Sequence, residues 1–216
     1  MRILAVNSFV SLDGVMQSPG GPDEDPTGGF THGGWGVSYF DNEMMTRVAE
    51  SAPYELLLGR GTYEIFAAHW PYDEGPIADQ LNSTRKHVAS TTLESVEWNN
   101  STLIQGDVAE YVADLKSQDG PEIQVHGSPG LIQTLLEHDL VDEYRLWIFP
   151  VAVGTGKRLF GAGTIPAALK LVDSKVSGTG VAINTYLPAG ELDTGSFEFD
   201  VPTEAELERR KRLGAS

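Results

Sequence analysis

One stretch of the chain decides the fold: Leu56-Leu57-Leu58-Gly59-Arg60-Gly61-Thr62-Tyr63-Glu64. Consecutive leucines are typical of a strand that is buried on both faces, and the glycines let that strand turn directly into a helix. The free N–H groups of a first helical turn point outward, an arrangement that binds phosphate. Arg60 adds a guanidinium fork and Thr62 a hydroxyl donor. The stretch therefore predicts a strand-turn-helix unit with a phosphate site at the turn.

A second stretch repeats this arrangement: Val125-His126-Gly127-Ser128-Pro129-Gly130-Leu131. Proline is tolerated in a first helical turn, where its missing N–H costs no hydrogen bond. Glycines are common at strand-helix junctions, so either turn alone has a purely structural interpretation. Two such turns in one sheet favour a dinucleotide ligand, whose pyrophosphate lies between the ends of helices.

Outward from these turns, strand and helix patterns alternate along the chain. Strands are predicted at 2–10, 54–58, 86–90, 101–105, 122–125, 142–151, 169–177 and 181–187, and helices at 41–51, from the first turn to about 68, at 107–117 and at 131–138. This order predicts the α/β class, as a three-layer α/β/α sandwich whose mixed sheet is mostly parallel and ends in an antiparallel hairpin. The glycine- and proline-rich segment 18–36 predicts a lid or a disordered insertion.

The chain divides into one domain and a tail. We predict that residues 1–190 form the domain and that residues 191–216 form an acidic tail. Thr203 and Glu206 have the spacing of a capping box, which predicts a short helix in this tail.

The composition excludes several classes of protein. The net charge of -16, from 31 acidic and 15 basic residues, leaves little for the basic face that a nucleic-acid binder needs. No apolar run approaches the roughly 20 residues that cross a bilayer. The chain has no cysteine, and its five histidines show no metal-ligand spacing, so no metal is expected. We expect a cytoplasmic protein without nucleic-acid or membrane partners.

Several motifs, taken together, resemble those of a known family. They are Asn7-x-x-x-Ser11-Leu12-Asp13-Gly14, Gly33-Gly34-Trp35 in the long loop, Leu58-Gly59-Arg60-x-Thr62-Tyr63-Glu64, and Pro150-x-x-x-Gly154-x-Gly156-Lys157-x-Leu159-Phe160. In this order, over about residues 2–187, the chain resembles the dihydrofolate reductase superfamily, and within it the stand-alone riboflavin-reductase-type branch. The resemblance implies a dihydrofolate-reductase-like sheet, NADPH as cofactor and a homodimer. Either the strand at 146–153 or an edge strand of the final hairpin would supply the dimer surface.

The resemblance also implies which residues bind the cofactor. The first turn would hold the pyrophosphate and part of the adenosine 2′-phosphate, and hydroxyls just past the third strand would complete the 2′-phosphate site. The second turn would line the other side of the pyrophosphate, and the first strand would offer its backbone to the nicotinamide. The residues implied are Val6, Asn7, Asp13, Gly14, Gly59, Arg60, Thr62, Ser90, Thr91, Gly127, Ser128, Gly130, Leu131, Gly154 and Gly156. Arg60 with two hydroxyls favours NADPH over NADH, which would leave these donors without a phosphate.

The substrate site is less well defined by the sequence. Dihydrofolate reductases hold the substrate ring with a carboxylate early in the helix before the glycine-arginine motif, and Glu43 or Asp41 would match that position. Either acid can equally stabilise the helix N-terminus through the helix dipole. The proton donor is left open among Glu43, Asp41, Asp13 and water. The candidate substrate-binding residues are Asn7, Trp35, Tyr39, Phe40 and Met44, although Phe40 and Met44 also have the spacing of core residues.

The resemblance implies a reductase that moves hydride from NADPH to a small substrate. The substrate would be a pterin-, flavin- or pyrimidine-like heterocycle, or a carbonyl or imine. Closure of segment 18–36 would exclude water and help to align the reactants. The rival hypothesis is a nucleotide- or flavin-binding protein of the same fold without turnover, since both need intact phosphate turns. Consumption of NADPH separates the two.

Overall fold

Strands and helices alternate along the chain, which the computed structural model describes over residues 1–49, 52–161 and 164–214. The strands are β1 (Leu4–Ser11), β2 (Tyr54–Gly59), β3 (Lys86–Ala89), β4 (Ser101–Leu103), β5 (Glu122–Val125), β6 (Glu143–Phe149), β7 (Leu169–Val176) and β8 (Ala182–Pro188). The α-helices are α1 (Asn42–Ala49), α2 (Arg60–His69), α3 (Pro76–Ser83), α4 (Val108–Ser117), α5 (Pro129–Glu137) and α6 (Glu204–Arg212). Short 3-10 helices cover Thr27–Gly29, Val37–Tyr39 and Trp70–Tyr72.

The strands form one eight-stranded mixed sheet, in the order β4-β3-β2-β5-β1-β6-β8-β7. The strands from β4 to β6 in this order all pair in parallel. By contrast, β8 pairs antiparallel with both β6 and β7. The predicted sheet, mostly parallel with a C-terminal antiparallel hairpin, is confirmed. Parallel strands bring their carboxyl ends to one edge of the sheet, and this places the turns after β2, β3 and β5 close together.

Helices cover both faces of this sheet. On the face that we call the back face, α4 and α5 pack over the core around Val6 of β1 and Val125 of β5. On the opposite front face, α2 and α3 pack over Leu58 of β2, whereas α1 packs over Phe149 of β6. Each of these side chains is fully buried. Burial of a leucine or phenylalanine side chain stabilises the fold by about 1.5–3 kcal/mol. The molecule is therefore the predicted three-layer sandwich.

Two elements differ from their predictions. The helix α3, eight residues that begin at Pro76 directly after Gly75, has no counterpart among the predicted elements. Glycine followed by proline is as typical of a loop as of a helix start, although proline is well suited to a first helical turn. The helix predicted at 41–51 is described from Asn42 to Ala49, and its predicted end at 50–51 lies outside the described residues.

The long loop after β1 is held in place by its own hydrogen bonds. The amide nitrogen of buried Gln17 donates to the backbone oxygens of Asp25 (2.9 Å) and Thr27 (3.0 Å). The amide oxygen of Gln17 accepts from the backbone N–H of Lys157 at 2.9 Å. The indole N–H of Trp35 donates to the backbone oxygen of Gln17 at 2.7 Å. The loop is thus an ordered, anchored segment, and its closure over a substrate stays a prediction.

Replacing Gln17 by alanine should loosen this loop measurably. The change removes the side-chain partner of three backbone groups whose hydrogen bonds are partly buried, so we expect Gln17→Ala to lower the free energy of unfolding by about 2–3 kcal/mol in total, or about 1 kcal/mol for each bond. Urea denaturation followed by tryptophan fluorescence measures the change. Gln105→Ala, at an exposed position, is the matched control and should stay within about 0.5 kcal/mol of the wild type. Equal stability of the two variants would show that Gln17 does not anchor the loop.

The end of the predicted domain coincides with the end of the hairpin. Backbone bonds from Ala189 N to Ala168 O (2.8 Å) and from Ala168 N to Gly190 O (3.0 Å) extend the hairpin pairing to Gly190. Beyond it, α6 begins as the capping-box spacing predicts, because the hydroxyl of Thr203 accepts from the backbone N–H of Glu206. The division at residue 190 into domain and tail stays a prediction.

The sheet leaves only one of the two predicted dimer surfaces with a free edge. Both edges of β6 are paired, with β1 on one side and β8 on the other. By contrast, β7 is an edge strand whose residues are all exposed, including Leu171 and Val176. The homodimer and the choice between its two surfaces stay predictions.

Candidate functional site

The two glycine turns singled out in the sequence lie against each other. The backbone N–H of Gly59, at the end of β2, donates to the backbone oxygen of Gly127 at 3.1 Å. A Cβ atom on Gly59 would lie 2.9 Å from the backbone nitrogen of Ser128 and would collide with the Ser128 hydroxyl. A Cβ atom on Gly127 would lie 2.6 Å from the hydroxyl oxygen of Thr62. Only glycine fits at both places, because any side chain would force the turns apart.

The contact between the turns brings two helix N-termini together. The first residue of α2 is Arg60 and the first of α5 is Pro129, and neither helix has a side-chain cap at its N-terminus. The backbone N–H groups of each first turn are therefore free to bind a ligand. Because the helix dipole adds partial positive charge at the same points, the pair of N-termini favours an anion such as a pyrophosphate.

A cleft of about 420 Å³ opens above these N-termini. It is lined by Gly59, Arg60, Ala89, Ser90, Thr91, Thr92, Val108, Ser128, Gly130, Leu131 and Thr134. Most residues predicted for the two phosphate groups thus face one space. The exceptions are Thr62 and Gly127, which lie behind the lining, where one turn packs against the other.

The guanidinium of Arg60 is held at the mouth of this cleft. Its Nε–H donates to Glu64 at 3.0 Å and its Nη1–H to the hydroxyl of Thr92 at 2.6 Å. The hydroxyl oxygen of Ser90 accepts from the backbone N–H of Thr92 (3.2 Å), which shapes the loop after β3. Arginine and several hydroxyls therefore surround one point at the cleft edge, a donor set that suits a phosphate monoester.

Sequence reasoning missed part of this lining. Thr92, the hydroxyl that contacts Arg60, directly follows the predicted Ser90 and Thr91, but the pattern gives no sign of how far the loop turns. Thr134 lies one turn into α5, beyond the glycine turn that was interpreted. A search for hydroxyl side chains one helical turn after the glycines would have found it.

The residues predicted for the nicotinamide end lie outside the lining of this cleft. Val6 is fully buried and Asn7 is half-buried; both lie inside β1, level with the point where the neighbouring strand β5 ends. Gly14, Gly154 and Gly156 lie in two loops that the Asp13 side chain joins. These loops follow β1 and β6, which are neighbours in the sheet.

Asp13 is placed as a structural acceptor and not as a proton donor. Its carboxylate accepts hydrogen bonds from the Ser11 hydroxyl (2.6 Å) and from the backbone N–H groups of Val153 (3.0 Å) and Gly154 (2.8 Å). These bonds hold the pKa of Asp13 well below the usual value of an aspartate. The guanidinium of Arg158 also contacts the backbone oxygen of Asp13. A group that stays ionised is a poor acid, which argues against Asp13 among the proton donors that the sequence leaves open.

The two acids at the start of α1 are better placed to stabilise the N-terminus of this helix than to bind the substrate. Asp41 accepts from the backbone N–H of Met44 at 2.9 Å, the contact of an N-terminal cap. Glu43 is 71% exposed and pairs with Arg47 along the helix at 3.2 Å. Neither carboxylate is buried, whereas a carboxylate that binds the substrate in a closed pocket would be buried.

The predicted aromatic substrate residues lie together in one cluster on the front face. Trp35 and Tyr39 meet the ring of Phe149 edge-on, with centroids 5.4 and 6.1 Å apart. Phe40 packs edge-on against Phe9 at 5.2 Å. Met44 is fully buried in the same cluster, as its alternative interpretation as a core residue predicts. Phe9, Trp147 and Phe149 complete the cluster; they alternate along β1 and β6, a period that the sequence displays.

Metal-ligand groups and membrane-spanning helices were both looked for among the described residues. Within residues 1–49, 52–161 and 164–214, no three His, Asp or Glu side chains are grouped as metal ligands. In the same part of the chain, none of the helices has the length and apolar character needed to span a bilayer.

Comparisons with known proteins agree with this geometry. The model of the RibD C-terminal domain family matches residues 2–183. Among curated proteins, the uncharacterized protein YyaP of Bacillus subtilis (strain 168) is 29% identical over 194 residues, covering 86% of this chain and 94% of that protein.

Two solved structures have the same fold. A protein from Shewanella sp. PV-4 that is assigned to riboflavin biosynthesis is 23% identical, with a TM-score of 0.63 over 87% of this chain and 99% of that chain. A dihydrofolate reductase from Enterococcus faecalis, complexed with NADP(H) and a second ligand, is 15% identical, with a TM-score of 0.55 over 86% of this chain and 96% of that chain. At these identities the likeness shows a shared dihydrofolate-reductase-like fold.

Proposed function

We propose that this chain, which belongs to the RibD C-terminal domain family, is an NADPH-dependent reductase of a small heterocycle or of a carbonyl or imine. One observation carries the proposal. Two uncapped helix N-termini and the Arg60 guanidinium, held by Thr92, face the same cleft of about 420 Å³. This donor set matches a ligand that carries a pyrophosphate and a separate phosphate monoester.

The residues present fit NADPH in particular. The closely packed backbone at Gly59 and Gly127 leaves the N-termini of α2 and α5 open to a pyrophosphate, with Ser128 beside it. Arg60, with the hydroxyls of the loop after β3, would hold the adenosine 2′-phosphate. These local donors are required, since the overall charge of -16 repels anions.

The protein would contribute position and shelter rather than covalent chemistry. When bound, the nicotinamide supplies a hydride to a substrate carbon, and the neighbouring nitrogen or oxygen takes up a proton. Asn7 and the backbone of β1 would align the rings, and the anchored loop after β1 would keep bulk water from them. Because Asp13 is ionised and Glu43 is exposed, we propose that a single water molecule held at the site, rather than bulk water, supplies the proton.

Neutralising Glu43 should leave turnover almost unchanged. Its carboxylate faces solvent and pairs with Arg47, so Glu43→Gln should change the rate of NADPH consumption by less than about twofold. Steady-state rates with an accepted substrate measure this. Asp41→Asn, the matched change at the helix cap, keeps an oxygen that accepts from the Met44 N–H, so it should change the unfolding free energy by no more than about 0.5 kcal/mol and leave the rate alone. A loss of tenfold or more in Glu43→Gln, with NADPH affinity unchanged, would make Glu43 the acid.

The proposal is tested by following hydride from the cofactor to a product. NADPH deuterated at the transferable position is incubated with the protein and, in turn, a pterin, a flavin, a pyrimidine and a simple aldehyde or imine. Deuterium found by mass spectrometry in one reduced product supports a reductase. Binding of NADPH without its consumption by any of these classes would contradict turnover and favour the rival hypothesis of a nucleotide-binding protein.

A further inference from the structure

One segment of the tail, Phe197-Glu198-Phe199-Asp200-Val201, has the sequence pattern of a strand but lies in none of the described strands. Apolar and acidic residues alternate over its five positions, and Pro202, which cannot donate to a sheet, ends the pattern. Phe197 is fully exposed, Phe199 is 77% exposed and Val201 is 80% exposed. Large apolar side chains grouped in this way on the surface are typical of a segment that binds another surface.

The outer edge of β7 is a surface that such a segment can join. The backbone N–H and C=O of Ala168 both bond toward β8. Because backbone groups alternate in direction along a strand, those of Leu169 and Leu171 point to the free edge. The side chain of Leu171 lies opposite Tyr186, which packs against the core of the back face, so Leu169 and Leu171 share that face. Lys170, between them, points to the front face.

A cavity adjoins the apolar side of this edge. Its volume is about 260 Å³, and Leu169 lines it together with Tyr144, Ala167 and Pro188. The acidic residues of its lining come from the end of α5 and the turn after it. This volume is many times what one water molecule needs, so the cavity has room for an aromatic side chain.

One antiparallel register matches the tail segment to β7. It forms three apolar pairs on the back face, Phe197 with Leu171, Phe199 with Leu169 and Val201 with Ala167. Cross-strand pairs of aromatic and aliphatic side chains stabilise a sheet. The register also sets Phe199 beside the cavity, and an aromatic ring that fills a pocket is the usual anchor of an interface.

The charges on the front face agree with the same register. Glu198 falls opposite Lys170, a residue that forms no ion pair within the described part of the chain. Ser196, which can donate a hydrogen bond, falls near Asp173. In its own chain Glu198 contacts Arg210 at 2.6 Å, but ion pairs this exposed contribute little and are easily exchanged.

Pairing of β7 with a second β7 is less favourable. An antiparallel pair over the full length of the strand would set Lys170 opposite Lys175, and like charges directly opposite destabilise a sheet. The edge of β7 therefore suits an acidic strand better than a copy of itself.

We infer that residues 197–201 of one molecule pair antiparallel with β7 of a second molecule, and that the exchange is reciprocal. The segment and β7 are both described, and within one chain they stay apart with their apolar side chains exposed. A second copy supplies the missing partner for each, and a reciprocal exchange around one twofold axis leaves neither edge free. This assigns the tail a role in assembly that does not depend on the proposed function.

Sedimentation of the full chain across a range of concentrations tests the role of the two phenylalanines. The wild type should have twice the 23.4 kDa mass of one chain. The double variant Phe197→Ser, Phe199→Ser should self-associate at least about tenfold more weakly, because it lacks both aromatic side chains. Leu192→Ser, at a position that is 56% exposed but outside the register, is the matched control and should stay within about threefold of the wild type.

Charge reversal tests the register itself. Lys170→Glu alone or Glu198→Lys alone sets like charges opposite each other in both contacts of the dimer, so each variant should associate at least about tenfold more weakly. When the two variants are mixed, both contacts of the heterodimer join opposite charges, and association should return to within about threefold of the wild type. Pairing of β7 with itself predicts stronger association of Lys170→Glu, because the new carboxylate would face Lys175.

Several results would overturn the inference. They are a monomeric wild type, a dimer that the double phenylalanine variant leaves intact, and a mixture of the charge variants that stays dissociated. The thermal transition of each variant reports whether the domain is folded. The tail substitutions lie at exposed positions outside the sheet, so they carry the test if Lys170→Glu does not fold.

Discussion

Gly59→Ala is expected to weaken NADPH binding by at least about a hundredfold, which corresponds to about 2.7 kcal/mol of binding free energy. The added Cβ atom would lie 2.9 Å from the backbone nitrogen of Ser128 and would meet the Ser128 hydroxyl. Backbone cannot move aside as a flexible side chain can, so the two turns must separate. Separation would spoil the joint alignment of the α2 and α5 N-termini on which the pyrophosphate site depends.

The neighbouring glycine provides a matched control. A Cβ atom on Gly61 would meet no atom within 4 Å, and Gly61 lies inside α2 with ordinary helical geometry. Gly61→Ala should therefore bind NADPH within about threefold of the wild type and gain about 0.5–1 kcal/mol in stability. Calorimetric titration of both variants measures the difference. If folded Gly59→Ala binds NADPH as tightly as Gly61→Ala, the packed turns are not part of the cofactor site.

Arg145→Leu is expected to lower the free energy of unfolding by about 2–4 kcal/mol at neutral pH. The change leaves the partly buried carboxylates of Glu122 and Glu143 without their cation. Burial alone would raise the pKa of Glu122, but the hydrogen bonds from Arg145 and Gln124 hold it below the usual value. Without the guanidinium this pKa rises, so Glu122 takes up a proton more readily in the folded variant than in the wild type.

The pH dependence of this loss distinguishes a charge effect from a packing effect. As the pH falls from 7 toward 5, protonation of Glu122 in Arg145→Leu relieves the unpaired charge, and the difference from the wild type should shrink. Urea denaturation at both pH values measures it. Lys211→Ala, which removes an exposed ion pair with Glu208, should cost no more than about 0.5 kcal/mol at either pH. A difference in Arg145→Leu that is independent of pH would mean that packing alone is lost.

The parts of the molecule that sequence predicts well are those with local signals. Leu56–Leu58 followed by Gly59 specifies a strand, a turn and a helix within a few residues, and the structure forms each of them. The resemblance extends this from one turn to the order of the whole sheet. By contrast, α3 lacks a strong pattern of its own, because Pro76 and Gly75 are equally typical of a loop.

The parts that sequence predicts poorly depend on which strands become neighbours. Glu122, Gln124 and His126 alternate along β5 and so share one face, but nothing local indicates that β1 places Ala5 beside them or that β6 supplies Arg145. The surroundings of Asp13 are hidden from the sequence for a similar reason. Its residue type suggests an acid, and only the fold shows that the N–H groups of Val153 and Gly154 surround it.

The central claim, that the cleft between the two turns binds NADPH through Arg60, is tested most directly by calorimetry. The wild type, Arg60→Ala and Arg212→Ala are each titrated with NADPH and with NADH at one fixed salt concentration; Arg212→Ala controls for the loss of one positive charge elsewhere. The account predicts that the wild type and Arg212→Ala bind NADPH at least about tenfold more tightly than NADH, and that Arg60→Ala loses this preference. Equal affinity of the wild type for the two cofactors, or an unchanged preference in Arg60→Ala, would contradict it.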